Sequence, residues 1–439
     1  MSHSHLHLML QEGINLLRSG DLVQAESIFA GILKSNPKEI HSLHLLGVTL
    51  CEMGRIKEGI SLIEHSINLD SSRFSPFLNL GKFLFQDAQY TSALSALKKA
   101  IEKDQSSFDA WHLLAKTYFF IDDLSNAIKS AKKAASFRSD DANILFLLGF
   151  YTSIIDKSSA IAYYELCISF NPSFFQAYVN IADLYFDLNA YENAYINYQK
   201  ALEFNFDCFQ ALMGIVRIYA HRLQWDECYK FAKQAYQTEP TSFQSLFWFA
   251  TSLYQLNRPN EAIKIFYKAL DINPDSARTH FFLACSLEAS AQQTTALFHY
   301  EKATELDNQF AEAFFNWGLL LFKIGLYNDA LEKYLKTIHI QPNHAECLFE
   351  LAVSCNNLRD YNKAIKYLVQ AIDTKPGYIE AIALLASVYR HSKQTEKAII
   401  TYKNVLATNS RHVNAIAGLG WSYIESTDPD LGIETTTGP

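Results

Sequence analysis

Few residues of the chain have the types and spacing that catalysis or metal binding requires. His3, His5 and His7 form a short tract of good metal ligands, but on a helix only His3 and His7 would share a face. Cys355 could act as a nucleophile, yet it occupies a packing position of the pattern described below. No phosphate-binding, zinc-protease or nucleophile-elbow motif occurs. We therefore expect no catalytic residue, no cofactor and no metal site.

Two pairs of adjacent carboxylates have a structural interpretation. Asp122 with Asp123, and Asp140 with Asp141, lie at expected turns or helix starts. Negative side chains stabilise the N-terminal end of a helix because the helix dipole is positive there. We predict that these aspartates begin helices rather than act in catalysis.

A period of 34 residues indicates which elements position the side chains. Its phase is visible in single residues, such as the alanines Ala262, Ala296, Ala330, Ala364 and Ala398. Self-similarity at this period is typical of a solenoid of helix-turn-helix repeats, in which each repeat buries its apolar face against its neighbours. Such an array offers a long surface to other molecules rather than one catalytic pocket.

The tenth repeat shows the pattern in full. It reads AEAFFNWGLLLFK, then a turn IGLYND, then ALEKYLKTIHIQP. Apolar residues recur three and four apart in both long segments, which predicts two amphipathic helices. Gly318 and Ala330 are small where the two helices must approach, and Pro342 ends the second helix.

This layout resembles the tetratricopeptide repeat (TPR), whose pattern is W-x2-L-G-x2-Y, then A-x3-F, then A and P. Matching residues include Gly13, Ala25, Phe29, Pro37, Trp111, Leu114, Tyr118, Tyr198, Ala201, Phe266 and Pro274. The resemblance covers about twelve repeats over residues 6–410, with a one-residue deletion in repeat five. It implies an all-α fold, a TPR α-solenoid coiled into a right-handed superhelix. We expect a capping helix over 411–425, a flexible N-terminus over 1–5 and a flexible tail over 426–439.

The resemblance also implies where a partner would bind, because in this family the first helices of the repeats line a concave groove. Each repeat is numbered here from the first residue of its first helix, so that position five is mostly aromatic or apolar. Aromatic side chains in such a row can bind an extended peptide, or they can pack neighbouring first helices. The predicted partner-binding residues are Asn180, Met213, Arg217, Phe247, Phe281, Phe315, Asn316 and Phe349.

Two further resemblances bear on function. Asparagine at position six, found in Asn79, Asn180 and Asn316, is similar to the asparagine ladder of protein O-linked N-acetylglucosamine transferases, which binds a peptide backbone. The opening sequence 14–48 resembles the starts of bacterial proteins that join such repeats to a transferase domain. The lysine–asparagine clamp for a C-terminal carboxylate is not matched, since Leu10 and Ile14 stand in its place.

The expected function is that of a non-catalytic scaffold or adaptor. It would bind a protein or peptide segment in the groove of repeats six to eleven, with position five supplying apolar anchors. The alternative is a substrate-recruiting TPR arm of a glycosyltransferase-like enzyme, whose catalytic domain is absent from this chain.

Two irregularities interrupt the array. Gly149 and Ala160 are one residue closer in sequence than Gly81 and Ala93, and the turn between them, IIDKSS, has no glycine. We predict a change of superhelical twist there, or a hinge. The final helix has no second helix after it. It could cap the array, join a second copy of the chain, or once have led into another domain.

Composition limits the class of partner and the compartment. The net charge of −8 and the pI near 6.0 argue against a nucleic-acid partner. No window approaches 18 apolar residues without a charge, and the start does not read as a signal peptide, so we expect no membrane insertion. Seven scattered cysteines predict reduced, buried thiols in a cytoplasmic protein.

The phenylalanines divide the array into two halves near repeat eight. Position one changes from phenylalanine, as in Phe209 and Phe243, to Ala277 and its successors. Position five is phenylalanine without a break from Phe247 to Phe349. The later half therefore has the better claim to a binding groove.

Overall fold

The computed structural model describes residues 3–426, and within that range the regular secondary structure is helical throughout. The helices up to residue 221 are α1 (His3–Ser19), α2 (Leu22–Ser35), α3 (Ile40–Glu52), α4 (Ile56–Leu69), α5 (Phe74–Gln86), α6 (Tyr90–Lys103), α7 (Phe108–Phe120), α8 (Leu124–Ala135), α9 (Ala142–Ser153), α10 (Lys157–Phe170), α11 (Phe175–Asp187), α12 (Tyr191–Phe204) and α13 (Phe209–His221). The remaining helices are α14 (Trp225–Thr238), α15 (Phe243–Gln255), α16 (Pro259–Ile272), α17 (Ala277–Ala289), α18 (Gln293–Leu306), α19 (Ala311–Lys323), α20 (Tyr327–Ile340), α21 (Ala345–Asn357), α22 (Tyr361–Thr374), α23 (Ile379–His391), α24 (Thr395–Thr408) and α25 (Val413–Ile424).

Helices alternate as first and second members of helix-turn-helix repeats, and each packs mainly on its neighbours in sequence. This confirms the predicted all-α, tetratricopeptide-type α-solenoid. Within the repeats, the two helices approach closely enough to need a small residue. A Cβ atom at Gly318 would lie 2.6 Å from the ring of Tyr334, so a larger side chain there would push the two helices apart.

Most repeats use one left-handed residue to turn from the first helix to the second. Gly325 has φ +87°, but Ala88 and Leu223 take the same role with φ 57° and 56°. The turn is closed by a backbone hydrogen bond that spans six residues, such as the bond that the Leu326 amide donates to the Leu321 carbonyl at 2.9 Å. Glycine is thus helpful at this turn and is not required by it.

The turn of repeat five is built differently. No residue between Asp122 and Asn189 has a positive φ. The Asp156 amide donates instead to the Thr152 carbonyl at 2.8 Å, and the Asp156 carboxylate accepts from the amide of Ser158 at 3.0 Å. The residue deleted from repeat five is therefore the one that adopts the left-handed conformation in the turns of the other repeats. The change of twist that we predict there stays a prediction.

The chain divides into two compact units, an N-terminal unit (Met1–Ile218) and a C-terminal unit (Tyr219–Pro439). The boundary falls in repeat seven, one repeat before the change in phenylalanine pattern. The core of the N-terminal unit includes Leu148 and Tyr164, and that of the C-terminal unit includes Phe266 and Tyr300.

The aspartate pairs and the cysteines lie where the sequence indicates. Asp123 and Asp141 cap α8 and α9 by accepting hydrogen bonds from backbone amides. All seven cysteines are buried, and none of them forms a disulfide. Burial raises the pKa of the Cys355 thiol to about 11, so that it stays protonated and unreactive near neutral pH.

Both ends of the array are helical in the described residues. Helix α1 begins at His3, inside the segment 1–5 that was expected to be flexible. Helix α25 packs on α24 and α23 through Leu419 and Tyr423, while 56% of Trp421 stays exposed. Apart from Ser426, the expected tail 426–439 lies outside the described residues. Over 3–426, we find no helix with the length and apolarity needed to cross a membrane.

Candidate partner-binding surface

The residues at position five contact the residue that precedes the next first helix. The ring centroid of Phe281 lies 4.9 Å from that of Phe310, Phe315 lies 4.8 Å from His344, and Phe349 lies 5.4 Å from Tyr378. These contacts join successive repeats, so the row of phenylalanines has a packing role in each case.

The predicted anchors differ in how much of their surface remains available. Met213, Phe247 and Phe281 are only 6%, 7% and 9% exposed, and their side chains contact the protein interior. Phe315 and Phe349 are half-buried. A partner could therefore touch Phe315 and Phe349 without any rearrangement of the helices.

The asparagines at position six are held by different neighbours, and they form no continuous ladder. The Asn79 amide lies 2.9 Å from His44 Nε2, and the Asn180 amide donates to the Tyr164 hydroxyl at 3.0 Å. Burial lowers the pKa of His44 to about 4, so this imidazole is neutral and accepts the bond. In the described part of the chain, Asn316 Nδ2 makes only a long contact of 3.8 Å, to Cys285 Sγ.

In the N-terminal unit, Arg217 belongs to a closed polar cluster. Arg217 Nη2 lies 3.1 Å from Asp183 Oδ1 and 3.2 Å from the Tyr198 hydroxyl, which itself donates to Asp183. The guanidinium also lies 4.5 Å from the ring centroid of Phe186. Burial, with the nearby Asp183 carboxylate, raises the pKa of Tyr198, which keeps its proton for this bond. The predicted partner-binding donor is thus engaged by its own unit.

In the C-terminal unit, polar groups converge on a cavity of about 300 Å³. It is lined by Tyr254, Cys285, Glu288, Ala289, Tyr300, Asn316, Leu319 and Lys323. The Tyr300 hydroxyl lies 3.2 Å from Glu288 Oε2 and 3.4 Å from Cys285 Sγ. Lys323 Nζ is 3.7 Å from Glu288 Oε1, beyond ordinary hydrogen-bond length.

This cavity is suited to recognition. Burial raises the pKa of the Cys285 thiol to about 11, so it is not a nucleophile near neutral pH. Lys323 and Asn316 offer donors, and Glu288 offers acceptor oxygens. Within residues 3–426, no group of three or more His, Cys, Asp or Glu side chains is placed to hold a metal ion.

Sequence reasoning missed the tyrosines of the second helices. They occupy the aromatic position of the A-x3-F part of the pattern, where Phe29 and Phe266 carry no hydroxyl. The buried hydroxyls of Tyr164, Tyr198 and Tyr300 reach polar groups of the first helices, whereas within residues 3–426 that of Tyr334 reaches none. The recurrence of tyrosine in place of phenylalanine was the available signal.

Four family models match parts of the chain. "Anaphase-promoting complex, cyclosome, subunit 3" matches residues 289–371, and "Tetratricopeptide repeat" matches 358–419. "ChAPs (Chs5p-Arf1p-binding proteins)" matches 10–145, and "TT21 fifth ARM repeats domain" matches 176–277. No curated protein sequence matches the chain significantly.

Solved structures of repeat proteins resemble it weakly. A chain of the APC/C hetero-tetramer Cut9-Hcn1 is 13% identical, with 96% of each chain covered and a TM-score of 0.48. YrrB, described as "a TPR protein with an unusual peptide-binding site", is 26% identical over 42% of this chain and 95% of its own, with a TM-score of 0.38. MamA is 20% identical over 38% of this chain and 91% of its own, with a TM-score of 0.35. These TM-scores are too low to carry a functional argument. The repeated helix pairs, together with these partial family-model matches, support a fold built of tetratricopeptide-type repeats.

Proposed function

We propose that the chain is a non-catalytic interaction scaffold that binds a segment of a partner protein on the first helices of its C-terminal unit. The observation that carries this proposal is the cavity of about 300 Å³ beside Asn316. Among the described residues, Asn316 Nδ2 has only its 3.8 Å contact with Cys285 and Lys323 only its 3.7 Å contact with Glu288, while Phe315 and Phe349 add accessible apolar surface nearby. A few convergent polar groups within an apolar setting are typical of binding sites.

A bound segment would complete the contacts that the unit leaves open. The Asn316 amide could donate to a backbone carbonyl and accept from a backbone amide, which would fix an extended chain in register. Lys323 and Glu288 could each bind a polar group of the segment in place of their 3.7 Å contact. Phe315 and Phe349 would supply apolar contact. Arg217 and Asn180, in the N-terminal unit, have internal partners and are weaker candidates.

Affinity purification with quantitative mass spectrometry tests the proposal. Removal of one hydrogen bond costs about 1 kcal/mol, so Asn316→Ala should weaken capture of a genuine partner about fivefold. Lys366→Ala, an exposed change on second helix α22, is the matched control and should leave capture unchanged. A partner captured equally by all three proteins would bind elsewhere.

Three finer expectations stay predictions of the sequence alone. They are the recruiting arm of a glycosyltransferase-like enzyme, the cytoplasmic location, and self-association through α25. The exposed Trp421 suits the last of these. Light scattering over a range of concentrations would test it, since a chain that stays monomeric when concentrated does not associate through this helix.

A further inference from the structure

One buried tyrosine differs from the others. The hydroxyl groups of Tyr164, Tyr198 and Tyr300 all have polar partners. Tyr334 is completely buried, and within residues 3–426 its hydroxyl has no hydrogen-bond partner. A buried polar group without a partner costs free energy, so this hydroxyl favours any ligand that can reach it.

The sequence explains why the Tyr334 hydroxyl is unpartnered. Tyr300 meets Cys285 and Glu288, and one period later the corresponding residues are Leu319 and Phe322. Both polar partners are replaced by apolar side chains. The ring of Tyr334 still packs beside Phe315, at a centroid distance of 6.0 Å, so the tyrosine keeps its place while its hydroxyl loses its bonds.

Glu350, at position six of α21, follows Tyr334 by 16 residues, the spacing at which Asn180 binds the hydroxyl of Tyr164. It stands one period after Asn316 and five periods after Asn180, so the repeat places it on the side of this hydroxyl. Glu350 is half-buried, and among residues 3–426 its carboxylate makes no hydrogen bond or ion pair. Its charge contributes to raising the pKa of Tyr334, second to burial.

Within the described part of the chain, no lysine or arginine forms an ion pair with Glu350. Burial raises the pKa of its carboxyl. Lys375 is engaged elsewhere, since its Nζ lies 3.0 Å from Glu346 Oε1 and 4.6 Å from the ring centroid of Tyr378. A half-buried carboxylate of this kind is stabilised most by a cation that arrives from outside.

We propose that Glu350 is the receptor site for one basic side chain, lysine or arginine, of the bound segment. The inference rests on the proposed function and names the chemistry of the partner. An ammonium or guanidinium group would donate to the Glu350 carboxylate. The rings of Phe349 and Tyr378, with centroids 5.4 Å apart, provide aromatic surface for the stem of that side chain.

A displayed library of random peptides, selected on the purified full chain, tests this site. Peptides that bind the proposed surface on the first helices of the C-terminal unit are identified as those whose enrichment is lost with Asn316→Ala. Among them, we expect lysine or arginine at one fixed position with wild-type protein and no such preference with Glu350→Gln. A synthetic copy of an enriched peptide should bind Glu350→Gln about tenfold more weakly, and its Lys→Gln version should bind both proteins equally.

Glu380→Gln is the matched control, because this exposed glutamate lies on the next first helix and its loss changes net charge equally. It should keep the basic preference. Peptides that depend on Asn316 could be enriched without a fixed lysine or arginine, or could keep that residue with Glu350→Gln. Either result refutes the receptor site while the proposed function stands. If no peptide depends on Asn316, the proposed function fails, and the receptor site fails with it.

Discussion

Tyr198 in the N-terminal unit and Tyr334 in the C-terminal unit stand four periods apart at the same position of the repeat. Both are completely buried. Tyr198 donates to Asp183, which is neutralised by Arg217 at 3.1 Å. Within residues 3–426, Tyr334 has no such partner, and Glu350 forms no ion pair. The same scaffold position thus supports a closed polar cluster in one unit and an open one in the other.

The difference shows how a repeat protein can separate stability from recognition. A cluster whose donors and acceptors bind one another stabilises its own unit and offers little to a ligand. A cluster that lacks donors destabilises its unit and gains when a ligand supplies them. The two repeats share the same helix pair, and the first-helix residues around the tyrosine are what differs between them.

The largest expected effects come from position five, where the two units should agree. Phe281→Ala and Met213→Ala each remove a side chain from the interior, and each should lower the free energy of unfolding by roughly 2–5 kcal/mol. Urea unfolding followed by circular dichroism would measure the loss. If Phe281→Ala left stability unchanged but weakened partner binding, position five would be a binding surface rather than a packing one.

Smaller effects should separate the two tyrosines. Tyr198→Phe breaks the bond to Asp183 and should destabilise the protein by about 1–2 kcal/mol. Tyr334→Phe removes a hydroxyl without a partner, so it should leave stability unchanged or raise it by up to about 1 kcal/mol. The comparison needs only the two unfolding curves. Equal losses in the two variants would mean that Tyr334 is partnered in solution.

The smallest effect concerns pH. Burial raises the pKa of Glu350 above its ordinary value of 4.5, so the folded protein keeps this proton to higher pH than the unfolded chain does. Stability is then lost as pH rises through the folded pKa. Glu350→Gln should therefore raise the melting temperature at pH 7 and raise it less at pH 4, by scanning calorimetry.

The exposed control Glu380→Gln should change the melting temperature little at either pH. A fall in the melting temperature of Glu350→Gln at pH 7 would show that the carboxylate has a stabilising partner in the free protein.

The sequence predicts the fold well because the period depends on residues whose role is local. Gly318 and Ala330 are small because two helices meet there, and Pro342 ends the second helix. The spacing of such residues indicates the helix pairs directly. The turns were predicted less well, since Leu223 adopts the left-handed conformation expected of glycine. That residue is fixed by the two helices around it.

The candidate site was harder to predict, because it depends on which side chains meet across helices. Arg217 was expected to bind a partner, but the bond to Asp183 is set by helices α11 and α13 together. Tyr334 resembles a packing residue in the sequence, and only the replacement of Cys285 and Glu288 by Leu319 and Phe322 one repeat later marks its hydroxyl as different. Such differences between equivalent positions are readable once the repeats are aligned.

Site-specific photo-crosslinking tests most directly whether the first helices of the C-terminal unit bind a partner segment. A benzophenone amino acid would replace Leu319, which lines the cavity, with Lys366 on second helix α22 as the control and Lys116 as the position-nine equivalent of Leu319 in the N-terminal unit. We expect the probe at Leu319 to crosslink one short stretch of the captured partner, with far lower yield at the other two sites. Equal or higher yield at Lys366 would contradict the proposed surface.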